Sequence, residues 1–200
     1  MDPPGRQVRQ GRPSATSRGE LERIALDLFT EHGFEATTVD GIAAAAGIGR
    51  RTFFRYFASK NDVVWGDFDA GLTELRDRLA AGPTDATLLA GLRVAVLAFN
   101  RLDPGEGDAH RERMRLILTV PALQAHSTLR YAAWRAVIAE HAAHRLGEPV
   151  AGLLPQLVAH SCLGAALTAY ELWLREPGAD LSTLLHDALW ALDGQWAGRT

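Results

Sequence analysis

Residues 38–57 constrain the fold more than any other stretch of this 200-residue chain. Val39, Ile42, Ala43 and Ala46 recur at helical spacing behind Thr37 and Thr38, whose hydroxyls suit a helix start. Gly47 ends that run, and only Ile48 and Gly49 separate it from a second segment, 50–56. In the second segment Phe53 and Phe57, four apart, share one face, while Arg50, Arg51, Arg55 and Tyr56 occupy the rest. Two short helices joined by so tight a turn must pack across each other, phenylalanines inward and arginines outward.

The flanking sequence turns this pair into a small domain. Ser17-Arg18-Gly19-Glu20 is a capping box, with the serine oxygen placed to accept from the amide three residues on. Leu21, Ile24, Ala25, Leu28 and Phe29 follow as one apolar stripe, and Gly33 supplies a left-handed stop. A three-helix unit over 17–59 is expected, preceded by a flexible basic arm, 1–16, too poor in large apolar side chains to offset chain-ordering entropy. Ser59 and Asp62 predict a cap that opens one continuous helix over 60–80, carrying Trp65, Phe68, Leu72, Leu75 and Leu79.

Glycine and proline breaks divide the remainder into helices expected at 85–101, 108–119, 122–146, 150–175 and 180–196. No strand-like alternation and no Asn-Gly turn competes with them. The predicted fold class is therefore all-α: an N-terminal three-helix helix-turn-helix domain followed by a C-terminal helical bundle over 60–200.

Charge points the same way once it is read locally. The formal net charge is -3, yet residues 1–60 hold nine Lys or Arg against seven Asp or Glu, and the remainder twelve against seventeen. Within 41–60 stand Arg50, Arg51, Arg55 and Lys60 and no acidic residue. A short helix carrying exposed cations after a glycine turn is how a protein seats one helix in the major groove of duplex DNA. Arg50 and Arg51 are the candidate base readers, because a planar guanidinium matches guanine O6 and N7. Thr38, Thr52, Tyr56 and Lys60 are expected to hold phosphates, with Arg55 adding charge and Phe54 free to touch a thymine methyl. Gly11-Arg12-Pro13 in the arm either enters an adjacent minor groove or belongs to a merely solubilising tail.

The run from Thr38 to Ala43, with Ala46-Gly47-Ile48-Gly49-Arg50-Arg51-Thr52-Phe53-Phe54-Arg55-Tyr56-Phe57-Ala58-Ser59-Lys60, resembles the DNA-binding domain of the tetracycline-repressor family. The resemblance implies a ligand-responsive, dimeric regulator of transcription whose second, helical domain dimerises and binds an inducer. Two positions depart from the family pattern: Gly49, where a Ser or Thr is usual, and Arg51, where Gly is frequent. The wording from Gly47 to Asp69 also resembles a subgroup of that family encoded beside mycofactocin biosynthesis genes. Likeness to it implies a long-chain acyl-coenzyme A as effector and redox-cofactor genes as targets; another apolar small molecule is the alternative effector, and no cofactor is expected. Repression is the expected action, and activation stays open.

A cavity for such an effector is expected among Trp65, Phe68, Phe99, Leu116, Trp134 and Trp173, though core packing explains each singly as well. Arg113, Arg115, Arg130 and Arg135 are candidate partners for a phosphorylated ligand. Glu140-His141 with His144 places two imidazoles at metal-sharing spacing without an evident third ligand, so a metal-responsive regulator is the alternative and no metal is expected. A helical adaptor that never meets DNA is a further alternative, and it leaves the arginines of 50–55 without a task.

Cys162 lies in an apolar helical run and reads as an inert core thiol. No GxSxG elbow, phosphate-cradling loop or HExxH is present, so no enzyme is expected. With no run of eighteen uncharged apolar residues, the expectation is a cytoplasmic protein with no membrane partner. The two last helices carry more apolar surface, including Leu153, Leu157 and Trp190, than one face needs, which predicts a two-fold homodimer. Such a dimer presents two reading helices about 34 Å apart, one turn of a palindromic operator.

Overall fold

A computed structural model describes residues 17–102 and 105–192; the predicted arm lies outside them. Every regular element among these residues is an α-helix, in the order α1 Arg18–His32, α2 Val39–Ala45, α3 Arg50–Tyr56, α4 Lys60–Val63, α5 Phe68–Ala81, α6 Leu88–Phe99, α7 Gly107–Thr119, α8 Pro121–Leu146, α9 Leu153–Arg175 and α10 Leu181–Ala191. The all-α expectation holds. The chain divides into two compact units, Met1–Gly66 and Asp67–Thr200.

In the first unit Ser17 caps α1, its Oγ accepting from the Glu20 amide at 3.1 Å. Thr38 Oγ1 accepts from the Gly41 amide at 3.0 Å and so caps α2. Gly49 precedes α3 without a side-chain cap. The predicted stripe closes a core of Leu21, Ala25, Phe29, Phe34, Ile42, Phe53 and Phe57, all buried. Removing each large side chain of this set from water contributes about 1.5 to 3 kcal/mol. Phe53 and Phe57 face inward as their spacing required, with ring centroids 5.7 Å apart.

The single helix expected over 60–80 is corrected to two. α4 stops at Val63, and Gly66 takes φ +55° before α5 begins at Phe68. That left-handed value is open to glycine and costly to a side chain, so the helix is broken where apolar periodicity runs on. Gly66 is also the last residue of the first compact unit.

In the second unit α9 lies against both α8 and α10, α10 also meets α6, and α5 packs on α6 and α8. Leu72, Leu75, Leu92, Val96, Trp134, Val137, Ile138, Ala159 and Cys162 form its core. α9 begins at Leu153, not at 150, because the chain turns at Gly152, where an added Cβ would stand 2.9 Å from the Pro149 carbonyl oxygen. α6 begins at Leu88 instead of 85, where Thr87 Oγ1 accepts from the Ala90 amide at 3.2 Å. α9 is the described helix long and apolar enough to cross a bilayer, and it buries Ala159, Cys162, Ala166, Ala169 and Trp173 within the bundle.

Candidate nucleic-acid interface and ligand-binding core

α3 owes its usable face to the two phenylalanines beneath it. With Phe53 and Phe57 spent on the core, Arg50, Arg51, Phe54 and Arg55 are left exposed, and Thr52 and Tyr56 half-buried. Arg51 makes no hydrogen bond or ion pair to another described residue. Arg55 leans on Tyr56, 5.2 Å above its ring, and Phe54 stands edge-on against Phe53. Six of the eight predicted contact residues, Arg50, Arg51, Thr52, Phe54, Arg55 and Tyr56, therefore share one short helix.

The other two stand elsewhere. Thr38 is exposed at the start of α2, where its oxygen is engaged as a cap and its hydroxyl hydrogen is left to donate. Lys60, expected as a phosphate clamp, already has two partners within the first unit. Its Nζ donates to the carbonyls of Phe34 and Thr37, at 2.7 and 2.9 Å, and sits 4.2 Å from the Phe34 ring centroid. Two of its three donors thus brace the connection between α1 and α2. Thr37, buried, adds to that brace by donating to the Gly33 carbonyl at 2.8 Å.

Arg50 has a partner that spacing alone did not single out. Asp40, in the first turn of α2, places both carboxylate oxygens 2.9 Å from Arg50 Nη1. The only sequence signal is a lone acid ten residues ahead of the arginine, on a surface otherwise reserved for cations.

The expected effector residues fall into several groups of contacts. Phe68, Phe99 and Trp134 do come together, with centroids 6.0 and 6.5 Å apart, beside the core of the second unit. Trp65 belongs to the first unit. Leu116 is buried on α7, and Trp173 joins a separate group on α9.

That separate group is polar at its heart. Tyr170 donates to Asn100 Oδ1 at 2.8 Å and accepts from His110 Nε2 at 3.0 Å, which puts the imidazole proton on Nε2. Burial, and then the nearby Arg113 charge, lower the His110 pKa to about 4, so the ring is neutral at pH 7. Arg111 donates to the Trp173 carbonyl at 2.7 Å and lies 4.2 Å over its ring. No motif announces these residues, because their partners lie sixty or more positions away.

A cleft of about 310 Å³ opens between the C-terminal ends of α5 and α8, with Leu79 and Val137 as floor and Arg76, Glu140, His141, His144 and Arg145 around it. Arg76 pairs with Glu140 at 3.6 Å, and Arg145 donates to the Ala86 carbonyl at 2.6 Å. The His141 pKa is lowered, by burial first and then by Arg145 and His144. Among the described residues no three His, Cys, Asp or Glu converge as metal ligands. Of the arginines considered for a phosphorylated ligand, Arg115 is paired with Glu112 and Arg130 with Asp69.

The surface of α9 leaves Leu153, Leu154 and Leu157 exposed, the first to 79%. Trp190 on α10 is exposed to 39%, stacked on His186 and covered in part by Arg93.

Comparison with known proteins accords with this layout. Residues 23–64 match the family described as bacterial regulatory proteins, tetR family, and residues 86–197 match the MftR C-terminal domain. The chain is 47% identical, over 90% of its own length and 90% of the relative's, to a Mycobacterium tuberculosis protein named as the mycofactocin biosynthesis transcriptional regulator MftR. It is 38% identical to the transcriptional regulator TcmR of Streptomyces glaucescens, over 62% of this chain and 57% of that one. Among solved structures, SmeT of Stenotrophomonas maltophilia in complex with triclosan aligns with TM-score 0.64 at 22% identity, covering 90% and 91% of the two chains. Thermus thermophilus FadR in complex with lauroyl-CoA aligns with TM-score 0.57 at 24% identity, covering 92% and 97%. At these identities the two structures establish likeness of fold.

Proposed function

Because the chain belongs to the tetracycline-repressor family of transcriptional regulators, we propose that it acts in the cytoplasm as a homodimeric repressor, released from a palindromic operator by a long-chain acyl-coenzyme A or a similarly apolar effector. The observation that carries the DNA half of this reading is the face of α3, where Arg50, Arg51, Phe54 and Arg55 are exposed over a buried phenylalanine pair. Arg50 and Arg51 read base edges, and Thr38, Thr52 and Tyr56 hold phosphates. The exposed leucines of α9 and Trp190 of α10 supply the apolar surface for a two-fold interface.

The effector half rests on chemistry. Phe68, Phe99 and Trp134 offer an apolar cluster to an acyl chain. Arg76 and Arg145, at a cleft whose floor residues Leu79 and Val137 belong to the same core, offer cations to phosphates. FadR, a structural neighbour, is known with lauroyl-CoA. Effector binding alters the junction around Gly66 and so the presentation of the reading helices. A coupling of about 1 to 3 kcal/mol is enough to shift operator occupancy strongly.

The test is a titration of the full-length chain against promoter duplexes at several salt concentrations, with and without lauroyl-CoA. Salt-sensitive, sequence-selective binding that lauroyl-CoA weakens is the expected result. Binding with no preference among sequences overturns the regulator reading, and selective binding indifferent to acyl-coenzyme A, free fatty acid and coenzyme A alike overturns the effector.

A further inference from the structure

Arg50 is held on two sides. Both Asp40 carboxylate oxygens accept from Nη1 at 2.9 Å, and the guanidinium lies 5.3 Å from the centroid of the Phe54 ring. The pair is open to water, with 59% of the Arg50 side chain and 67% of the Asp40 side chain exposed, so it adds little to folding stability. Its geometry matters for a different reason. Nη1 is occupied, while Nε and Nη2 make no hydrogen bond to another described residue. The free edge of the fork carries the donors a guanine edge accepts.

We propose that Asp40 is a specificity-determining residue of DNA recognition, acting through Arg50. The proposal rests on α3 facing DNA, as argued above. Binding to arbitrary sequence is driven by cations meeting phosphates. An arginine neutralised by its own carboxylate contributes little to that attraction, and an exposed carboxylate beside a polyanion opposes it. The free edge of Arg50 can also meet a phosphate, but the paired Asp40 then brings its carboxylate beside the anionic backbone, and an Arg50 that leaves Asp40 abandons that carboxylate there unpaired. At a site presenting guanine, the free edge of Arg50 bonds O6 and N7 while Nη1 stays on Asp40. Nothing is surrendered. The ion pair with the Phe54 platform fixes the guanidinium before contact, and the carboxylate penalises binding wherever no base accepts.

The position of Asp40 also suits the start of α2, where an acid complements the helix dipole. That role affects the fold and leaves the ratio between DNA sequences unchanged. The experiment therefore reads the ratio. A duplex selected by the full-length protein from a randomised pool is compared with a mixed-sequence duplex of equal length, for wild type, Asp40→Asn, Asp40→Ala, Arg50→Ala and the double variant Asp40→Ala with Arg50→Ala.

Removing the carboxylate is expected to tighten mixed-sequence binding about threefold to tenfold and to steepen its salt dependence by about one phosphate contact. The selected duplex gains less, so the selectivity ratio falls. In the Arg50→Ala background the loss of Asp40 moves both duplexes alike and leaves the ratio where Arg50→Ala put it. An unchanged ratio in Asp40→Asn and Asp40→Ala, with Arg50→Ala reducing it, overturns the role of Asp40 alone. If Arg50→Ala leaves the ratio intact, Arg50 reads no base and both statements fall.

Discussion

Arg18 Nη2, in the first turn of α1, donates to the carbonyl oxygen of Gly66 at 2.7 Å, tying the start of the first unit to its last residue. The same guanidinium lies 4.8 Å over the Phe57 ring and pairs through Nε with Glu22 at 3.3 Å. One side chain thereby joins α1, the residue that ends α3, and the turn that separates α4 from α5. The bond is charge-assisted and partly buried, which makes it worth more than a surface contact.

Arg18→Ala is expected to lower the stability of the first unit by about 1 to 2 kcal/mol, from the lost bond and cation–π contact together. Gly66→Ala should cost about as much, because φ +55° is strained for alanine and its Cβ meets Glu22 Oε2 at 3.2 Å. Denaturant unfolding, with amide exchange read at α1 and α4, checks both. Wild-type exchange in either variant would remove Arg18 and Gly66 from any mechanical role.

Lys60 and Arg51 should separate cleanly in a salt series. Lys60→Ala removes the brace on Phe34 and Thr37 and should lower thermal stability by about 1 to 3 kcal/mol, leaving the salt slope of DNA binding nearly unchanged. Arg51→Ala should leave stability unchanged and cost about 1 to 3 kcal/mol at a selected site if it reads a base. A slope reduced by about one in Lys60→Ala would return that residue to the phosphate contacts first expected of it.

His110 makes stability depend on pH in a defined direction. Its pKa falls from 6.5 to about 4 on folding, so the unfolded chain binds more protons in between. The stabilisation is complete above pH 6.5 and is lost as pH falls toward about 4, at no more than about 1.4 kcal/mol per unit. His110→Gln should flatten this window in a series of urea melts. Tyr170→Phe, which strips partners from both Asn100 and His110, should destabilise by about 1 to 3 kcal/mol.

Cys162 is buried, and burial pushes its thiol up to about 12. The native protein should resist iodoacetamide at pH 8 and take up one label per chain only under denaturing conditions. Labelling of the native state as fast as a free thiol would disprove the inert-core assignment.

The legible parts of this chain have local causes, and the illegible parts lie in a single backbone torsion or in how the helices pack. Helix class, the Ser17 and Thr38 caps, and the inward phenylalanines of α3 all follow from interactions within a few residues, where spacing translates directly into geometry. Apolar periodicity from Val63 to Leu79 reads as one helix, because periodicity reports which side chains seek a core and is blind to a single backbone torsion at Gly66. The scattered effector candidates have a similar origin. Aromatic residues announce burial, and which buried residues meet is settled by helix packing, so Phe68, Phe99 and Trp134 converge while Trp173 joins His110 and Tyr170.

The run from Thr38 to Lys60, read as letters, was sufficient to announce two short helices with a basic exposed face, since short-range spacing dictates both, and its resemblance to the tetracycline-repressor family is what implied a regulator. Tertiary structure alone decided how individual charges are used. Lys60 is spent on carbonyls twenty-three and twenty-six positions away, and Arg50 is steadied by Asp40 from the neighbouring helix. The physical reason is that a charged side chain takes the nearest partner in space, and nearness between residues on different helices arises only when the helices pack.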